Sequence, residues 1–384
     1  MFRILGKQRK KTVAVADISS GRVSVAIIEI SHKGVSNVLA EEHVTLPFPD
    51  GRQEASVAGI IKTLGEVSEK AIVAYSKKST RSPRISSVYA CLHTPFICSK
   101  TIRAEHAFND RTLIGRAIIS DLGRQALETD TELAHKKIFE SSVVRIELNG
   151  YPTANPEGKY ASRIAASILF SEDVANIRSG ISETLSRVFA CPSPKVRSST
   201  SAILSVLKEN DILKKYCFVV DMGSQATSLM TVRKDVATEI VHVPEGSLSI
   251  LKRIAGEKMP EETLTLLRML ALGECESGAC ETIKQAVARA EPDLVRIFGE
   301  AMAKMALERR LPDDLILIAP KELSEWLMQF FSRLDFAQFT ITTRPFSPRV
   351  PFGQAPSLTL ENGVSLDSDL SIMCALVNIE EMRV

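Results

Sequence analysis

The 384-residue sequence has no apolar run near the roughly 20 residues that a membrane-spanning helix requires. It also has little excess of either charge, with 48 Lys and Arg against 46 Asp and Glu and a net charge of +2. The first absence excludes an ordinary transmembrane helix. The second argues against a dedicated nucleic-acid-binding protein, because such proteins usually carry a strong basic excess. We therefore expect no nucleic acid among its partners.

Cysteine and tryptophan are scarce, and neither forms a recognisable motif. Cys275 and Cys280 lie five residues apart, but no second cysteine pair or nearby histidine completes a zinc site. The single tryptophan, Trp326, shares a helical spacing with Leu323 and Phe330, which predicts a place in the core. An odd, unpatterned set of seven cysteines predicts free thiols in a reducing cytoplasm: Cys91, Cys98, Cys191, Cys217, Cys275, Cys280 and Cys374.

Residues 1–11 form a basic N-terminal tail that ends in Lys10 and Lys11. Its few apolar residues precede the basic cluster, whereas a signal peptide places its charges before a longer apolar core. Two interpretations stay open. The tail is either solvated, or it contacts an anionic membrane surface peripherally, where each basic residue contributes about 1 kcal/mol.

The most informative positive feature is a pair of hydrophobic strands that each end in an aspartate-led turn. The first hairpin turns at Asp17 and the second at Asp221, about 200 residues later. In each, small residues reverse the chain and a second apolar strand follows. Small residues in tight turns let backbone N–H groups approach phosphate oxygens closely. The pair predicts a duplicated architecture whose hairpins grip the phosphates of one nucleotide.

Periodicity adds further predicted elements. Three strands follow one another over residues 12–48, and helices are predicted at Asn109–Leu127, from Ser171 to Phe189, and at Ser368–Asn378. Residues 84–195 then form a strand-helix-strand-strand-helix unit that is large enough to be an inserted module.

The order of elements resembles the actin-like ATPase superfamily, and within it the FtsA and PilM branch, across nearly the whole chain. The resemblance implies an α/β, actin-like (ribonuclease H-like) duplicated two-domain fold with an inserted SHS2-type α+β subdomain. The implied divisions are a tail at 1–11, a first actin-like subdomain at 12–83 and 196–215, the insertion at 84–195, a second subdomain at 216–242 and 312–384, and a helical subdomain at 243–311.

The resemblance also implies a nucleotide site with ATP and Mg²⁺ as cofactors. Asp17 and Asp221 would be the catalytic residues, each holding Mg²⁺ through water or orienting the attacking water. The implied cofactor-binding residues are Ser19, Ser20 and Gly21 in the first loop, Gly223, Ser224 and Thr227 in the second, and Gly246, Ala319 and Pro320. The family usually has two glycines where Ser224 and Gln225 stand, and a glycine pair near Ala319 and Pro320. These departures leave open whether the protein is a weak ATPase or a pseudo-ATPase.

Several functions follow from the resemblance, with a cytoplasmic location at the inner face of the cell membrane. A PilM-like scaffold in type IV pilus assembly would bind the short cytoplasmic tail peptide of an inner-membrane pilus protein. An FtsA-like protein would instead tether the septal ring in cell division. The start of the chain resembles PilM, and its end at Ile379–Val384 lacks the amphipathic membrane helix usual in FtsA. The stretch Asn149–Gly158 resembles FtsA.

Three further possibilities remain at this level. The protein could be a nucleotide-free adaptor of the same fold, and self-association into dimers or filaments is implied for the superfamily. A small-metabolite kinase would need a general base and a glycine-rich adenosine segment, which the sequence does not show. For the partner peptide we expect an open strand edge in the insertion, at Ser87–Ile102 or Val143–Leu148.

Overall fold

The computed structural model of the chain describes residues 10–31, 36–46, 56–78, 84–213, 216–256, 260–274, 278–351 and 368–382. Most of the basic tail, residues 1–9, lies outside the described residues, and Lys11 already begins the first strand. The chain divides into two units. The first consists of Met1–His93, Ile177–Asn210 and Phe352–Val384, and the second of Thr94–Asn176 and Asp211–Pro351.

The first unit contains a five-stranded sheet. Its strands, numbered along the chain, are β1 (Lys11–Ile18), β2 (Arg22–Ile30), β3 (Ser36–Thr45), β4 (Ser87–Leu92) and β9 (Lys195–Ser198). The order is β3-β2-β1-β4-β9, antiparallel among the first three and parallel from β1 through β4 to β9. Because parallel strands are covered on both faces, the middle of the central strand is apolar, and Val13 to Ala16 are at most 1% exposed.

Two pairs of helices pack on this sheet. They are α1 (Val57–Lys78) with α3 (Arg178–Phe189), and α4 (Ser199–Glu209) with α9 (Ser368–Met382). Helix α9 contacts β1 and β2, so the last described helix belongs to the first unit. Charged side chains hold the C-terminal end of α9 on this unit. Glu380 receives two hydrogen bonds from Arg197, at 2.7 and 3.1 Å, and Glu381 accepts hydrogen bonds from Lys11, Ser87 and Tyr89.

The second unit repeats the same sheet topology. Its strands are β10 (Tyr216–Met222), β11 (Thr227–Arg233), β12 (Val236–Val243), β13 (Asp314–Ile318) and β14 (Ser347–Arg349). The order β12-β11-β10-β13-β14 matches that of the first sheet strand for strand, with the same antiparallel and parallel pairings. This confirms the duplicated α/β fold.

Four helices share one core with the second sheet: α5 (Ser247–Ala255), α6 (Pro260–Ala271), α7 (Gly278–Ala306) and α8 (Lys321–Phe331). Leu267 of α6 and Phe298 of α7 lie in the same buried cluster as Leu317 of β13. The predicted helical subdomain at 243–311 therefore has no separate core. Trp326 lies in this cluster, 5% exposed, as its spacing predicted.

The inserted module is a four-stranded antiparallel sheet with one helix on it. Its strands are β5 (Ile97–Leu113), β6 (Ile138–Leu148), β7 (Tyr151–Pro152) and β8 (Tyr160–Asp173), in the order β5-β8-β6-β7. Helix α2 (Arg116–Thr129) packs over β5 and β8. The apolar residues between them form their own core, including Leu122, Ile146 and Ile168.

The structure draws several boundaries differently from the sequence. The insertion was placed at 84–195, but β4 and β9 pair within the first sheet and α3 packs on α1, so the inserted sheet spans only Ile97–Asp173. Residues 368–382, expected in the second subdomain, pack in the first unit. The predicted helix from Asn109 begins only at Arg116, because Asn109 still belongs to the last part of β5. The predicted helix from Ser171 begins only at Arg178, because Ser171 still belongs to the last part of β8, the strand that pairs with β5.

No helix among the described residues is both long enough and apolar enough to cross a membrane. Five of the cysteines, Cys91, Cys98, Cys191, Cys217 and Cys374, are free thiols as expected. Cys280 is disulfide-bonded, which the sequence did not predict.

Candidate functional site

The first predicted phosphate loop is the turn between β1 and β2. Asp17 is 4% exposed and lies next to the end of β1, and Ser19, Ser20 and Gly21 form the buried turn. Both donors of Ser19 are used within the turn, since its N–H and its Oγ donate to the carbonyl of Arg22, at 3.0 and 3.1 Å. The Oγ of Ser20 is buried and has no hydrogen-bond partner among the described residues. A buried hydroxyl without a partner is costly, so the Ser20 position fits an acceptor such as a phosphate oxygen.

Asp17 does not stand alone at the end of its strand. Nε2 of His93 lies 2.7 Å from Oδ1 of Asp17, and the two side chains are 5% and 6% exposed. Strand β4 lies parallel to β1 with Cys91 opposite Asp17, so the residue two positions later reaches the same sheet edge. The thiol of Cys91 lies within 4.8 Å of both ligand atoms.

The electrostatics make Asp17 and His93 a buried ion pair. Burial lowers the pKa of His93, but the Asp17 carboxylate, together with Cys91, outweighs it, and the net pKa stands well above the ordinary histidine value. Burial raises the pKa of the Cys91 thiol to about 11, so the thiol stays protonated. A protonated thiol and a charged imidazole are poor metal ligands, since metals bind thiolate and neutral imidazole.

This arrangement bears on the implied role of Asp17 with Mg²⁺. Mg²⁺ takes oxygen ligands and keeps several waters. One oxygen of Asp17 is engaged by His93, and the positive charge of that imidazole opposes a second cation at the carboxylate. The geometry at Asp17 therefore does not fit the magnesium role that the resemblance implies, whereas Ser20 in the same loop does fit a phosphate.

The second predicted loop is the turn between β10 and β11. Asp221 is 5% exposed near the end of β10, directly before the turn. Thr227, implied as a phosphate contact, is fully buried, and its Oγ1 donates to the carbonyl of Glu245 at 2.6 Å. Its hydroxyl proton is thus used within the protein. Ser224 and Gln225 are half-buried, so their side chains are the accessible groups of this loop.

The second loop rests directly on the first turn of α5. The N–H groups of Ser247 and Leu248 donate to the carbonyls of Gly223 and Ser224, both at 2.9 Å. These are two of the four N–H groups that a helix leaves free at its N-terminus. Because loop carbonyls accept them, they are not available to a phosphate. The N–H of Gly246 is also used within the protein, since it donates to Oγ of Ser249 at 2.6 Å.

Close approach explains why two positions here are glycine. A Cβ on Gly246 would lie 2.6 Å from backbone atoms of Gly223 and Ser224, and a Cβ on Gly223 would lie 2.9 Å from the carbonyl oxygen of Ala226. Real Cβ contacts are not that short, so a side chain at Gly246 would force the loop away from the helix, and one at Gly223 would distort the turn of the loop itself.

The third predicted segment, the adenosine turn, follows β13. Ile318 pairs in register with Asp221, so the turn Ala319–Pro320 leaves the same sheet edge as the second loop. Ala319 is buried, and Pro320 is the N-cap of α8 with φ −53° and ψ 133°. Proline lacks an N–H, so this turn offers one backbone donor fewer than the glycine pair usual in the family.

The residue that sequence reasoning missed is His93, which has no spaced partner in the sequence and was not among the predicted site residues. A signal existed: β1 and β4 were both predicted strands, and adjacent parallel strands bring their carboxyl ends to one edge. His242, which also has no spaced partner in the sequence, lies beside the hydroxyls of Thr94 and Ser228, at 3.3 and 3.1 Å from its Nδ1. Burial lowers the pKa of His242, which fits a neutral structural histidine.

The repeated sheet order and the paired aspartate hairpins define the class: the chain has an actin-like ATPase fold. Among solved structures it is similar to one described as a PilM–PilN type IV pilus biogenesis complex. That match has a TM-score of 0.59 and 12% identity, and it covers 96% of this chain and 98% of the other. At this identity the likeness shows the fold.

Two other solved structures show weaker likeness. The ethanolamine utilization protein EutJ from Carboxydothermus hydrogenoformans has a TM-score of 0.45 and 12% identity, over 95% of this chain and 89% of the other. A protein from Bacteroides thetaiotaomicron, described as having an actin-like ATPase fold and unknown function, has a TM-score of 0.35 and 11% identity, over 70% and 80%. No family model and no curated protein matches the sequence.

Proposed function

We propose that this protein is a PilM-like scaffold that acts in type IV pilus assembly at the inner face of the cell membrane. One observation carries the proposal: the likeness to the PilM–PilN structure runs over 96% of this chain and 98% of the other. A match of that extent takes in most of the inserted sheet at Ile97–Asp173 as well as the two repeated sheets. Shared core and shared insertion are what a common assembly role requires, although fold alone does not dictate function.

The proposed partner is the cytoplasmic tail peptide of an inner-membrane pilus protein. The inserted module supports this, because its sheet has an exposed edge on which an extended peptide can add a strand. Two edges were expected from the sequence, Ser87–Ile102 and Val143–Leu148. The first takes in β4, an interior strand between β1 and β9, and the start of β5, an edge strand of the inserted sheet; the second lies in β6, next to the short β7. Peripheral membrane contact through residues 1–11 and self-association into dimers or filaments belong to the same proposal.

We propose further that the protein is a pseudo-ATPase. Three features support this: the ion pair that engages Asp17, the internal hydrogen bond of Thr227, and the proline at position 320. ATP remains the proposed ligand of the loops through Ser20, with hydrolysis lost. The chemistry that bound ATP–Mg²⁺ supplies in this superfamily, phosphoryl transfer to water, needs an organised cation and an activated water.

The pilus role is tested by deleting the gene in its native host. We expect loss of surface pili and of pilus-driven motility at normal cell length, with both restored by the wild-type gene on a plasmid. Filamentous cells with a septation defect and normal pili would show the division role instead and would overturn the proposal.

The nucleotide role is tested by calorimetry with ATP and Mg²⁺ on the wild type and on Asp221→Ala, together with a phosphate-release assay. We expect no turnover above the buffer rate for either protein. Magnesium-dependent turnover that Asp221→Ala abolishes would show a working ATPase and contradict the pseudo-ATPase proposal, while leaving the pilus role untouched.

A further inference from the structure

The inserted module is held by the second sheet, although its chain is inserted between two elements of the first unit. It follows β4 and precedes α3, which both belong to the first unit, whereas Thr94–Asn176 belongs to the second. Strand β5 of the module packs against β12, the edge strand of the second sheet. The contacts of the module therefore differ from what its place in the chain suggests.

Both faces of the inserted sheet are buried. Helix α2 covers one face, where Ile168 and Phe170 of β8 lie in the core of the module. Successive side chains of a strand point to opposite faces, so Ser167 and Leu169 lie on the face that α2 does not cover. They are nevertheless only 5% and 1% exposed. A sheet buried on both faces is packed against the rest of its unit.

A buried pair of hydroxyls holds the first residue of the module on the second sheet. Oγ1 of Thr94 lies 2.7 Å from Oγ of Ser228 in β11 and 3.3 Å from Nδ1 of His242 in β12. Thr94 and Ser228 are 5% and 0% exposed. A buried hydroxyl that loses its partner carries a desolvation penalty. Separating the module from the sheet at this point is therefore unfavourable.

A second anchor lies at the opposite end of β12. The turn between β11 and β12 consists of Lys234 and Asp235, which both have positive φ, 51° and 67°. Two-residue turns of this kind favour Asn-Gly over bulkier residues. Nη1 of Arg145 in β6 donates to the Lys234 carbonyl at 3.1 Å. Arg145 is itself oriented by Glu147, at 2.8 Å. The module thus supports a turn that its own residues favour only weakly.

The Thr94 anchor adjoins the second predicted phosphate loop. Ser228, the hydroxyl partner of Thr94, pairs in register with Asp221. The Thr94 carbonyl oxygen also lies beside the loop, since a Cβ on Gly223 would be 3.5 Å from it. The start of the module and this loop are therefore direct neighbours.

We propose that the inserted module is a fixed arm of the second unit. Thr94 and Arg145 clamp it at the two ends of β12, so the module and the second predicted phosphate loop move as one rigid body. A partner bound to the module then acts on the unit that carries this loop. Only the identity of that partner rests on the proposed scaffold function, because the clamp follows from contacts within the unit.

The test measures how freely the module moves on the second unit in the full chain. Spin labels are introduced as unnatural amino acids at Gln125 in α2 and at Lys304 in α7, the helix that packs against β12; both positions are exposed. This choice leaves the native cysteines in place. Double electron–electron resonance then gives the distribution of the distance between the labels. We expect one narrow distribution for the otherwise unchanged protein.

The clamp variant combines Thr94→Val with Arg145→Met, which removes both anchors at similar side-chain size. We expect its distance distribution to be at least twice as wide. The control variant combines Thr101→Val with Arg163→Met in the same module. Oγ1 of Thr101 is buried and has no hydrogen-bond partner among the described residues, and Arg163 forms an exposed pair with Glu105. The control should keep the original width.

Hydrogen exchange on the unlabelled proteins provides the second measurement, since exchange reports local opening. In the clamp variant, the amides of β12 and of the turn before it should exchange at least tenfold faster than in the control variant. The amides of α2 should keep their protection, which shows that the module is still folded. If the double change unfolds the module, the single changes Thr94→Val and Arg145→Met are compared with Thr101→Val and Arg163→Met in the same way.

A wide distribution in the protein with an intact clamp would overturn the proposal, and so would a folded clamp variant whose distribution is no wider than that of the control. These outcomes are separate from the gene deletion and from the ATP measurements, because neither the labels nor the exchange requires a partner or a nucleotide.

Discussion

The buried pair of Asp17 and His93 is the feature on which the nucleotide proposal depends, and its energetics can be measured. The two side chains are 6% and 5% exposed, with 2.7 Å between Oδ1 and Nε2. Asp17→Ala leaves a buried imidazole without its counter-ion, and His93→Ala leaves a buried carboxylate in the same state. Breaking a buried pair from one side costs about 3–5 kcal/mol. We expect each single change to fall in this range.

The double change should cost much less than the sum of the two single changes, because it removes both charges. We expect a coupling free energy of about 2–3 kcal/mol, the upper part of the range seen for interacting neighbours. The control is Lys10 with Glu29 in the same sheet, 2.6 Å apart, with side chains 59% and 23% exposed. An exposed pair of this kind contributes about 0.2–1 kcal/mol.

The assay is native-state hydrogen exchange of the β1 and β4 amides across a urea series. A chain of two units is not expected to unfold in one step, and exchange reports the opening free energy of the strands themselves. If the Asp17–His93 coupling is no larger than that of the control pair, the two groups are not a buried ion pair. Asp17 would then remain available to hold Mg²⁺.

Three other outcomes follow from particular contacts. Gly246→Ala should destabilise the second unit by about 1–3 kcal/mol through overpacking, whereas Gly278→Ala, where a Cβ meets nothing within 4 Å, should not; equal melting temperatures would contradict the loop packing. Burial raises the pKa of Glu381, but hydrogen bonds from Lys11, Tyr89 and Ser87 lower it further, to a net value below the ordinary one. Its contribution is therefore present above the unfolded-state pKa of about 4.3 and is lost as the pH falls through the folded-state pKa. Thermal unfolding should show Glu381→Gln less stable than the wild type at pH 6, with the gap narrowing as the pH falls below the unfolded-state pKa; a constant gap would refute this. Gly123→Ala, in the middle of α2, should raise the stability of the inserted module by about 1 kcal/mol, because a Cβ there would meet only Cδ1 of Ile168, at an ordinary 3.7 Å. A loss of exchange protection in α2 would show that packing does need glycine there.

Elements whose signal is local could be predicted from the sequence. Both aspartate hairpins were predicted because apolar strands and a turn of small residues lie within a few positions of one another. Trp326 was placed in the core by the spacing of its own helix. The helix predicted from Asn109 was wrong at its start, because the end of a strand there has a composition that also suits a helix. Asn109–Leu113 is polar and exposed at the end of an edge strand, so its residues carry no alternating pattern, and only pairing with β8 shows that it is a strand.

The candidate site likewise contains residues that could be predicted from the sequence and partners that could not. The aspartates and the small residues of the two loops lie where the sequence placed them, at the ends of β1 and β10. Their partners could not be predicted, because each comes from a distant segment: His93 at Asp17, the carbonyl of Glu245 at Thr227, and the first turn of α5 at Gly223. These partners decide which groups of the loops remain available to a ligand.

The sequence by itself determined the two hairpins, the duplicated architecture that they indicate, and the presence of an insertion, since each depends on periodicity and turn residues over short distances. Only the tertiary structure decided that His93 pairs with Asp17 and that α9 packs on the first sheet, where Glu380 and Glu381 hold its end. The physical reason is that side-chain pairing and burial depend on residues that are far apart in the chain. A local sequence pattern does not specify which distant residue will lie beside a given side chain.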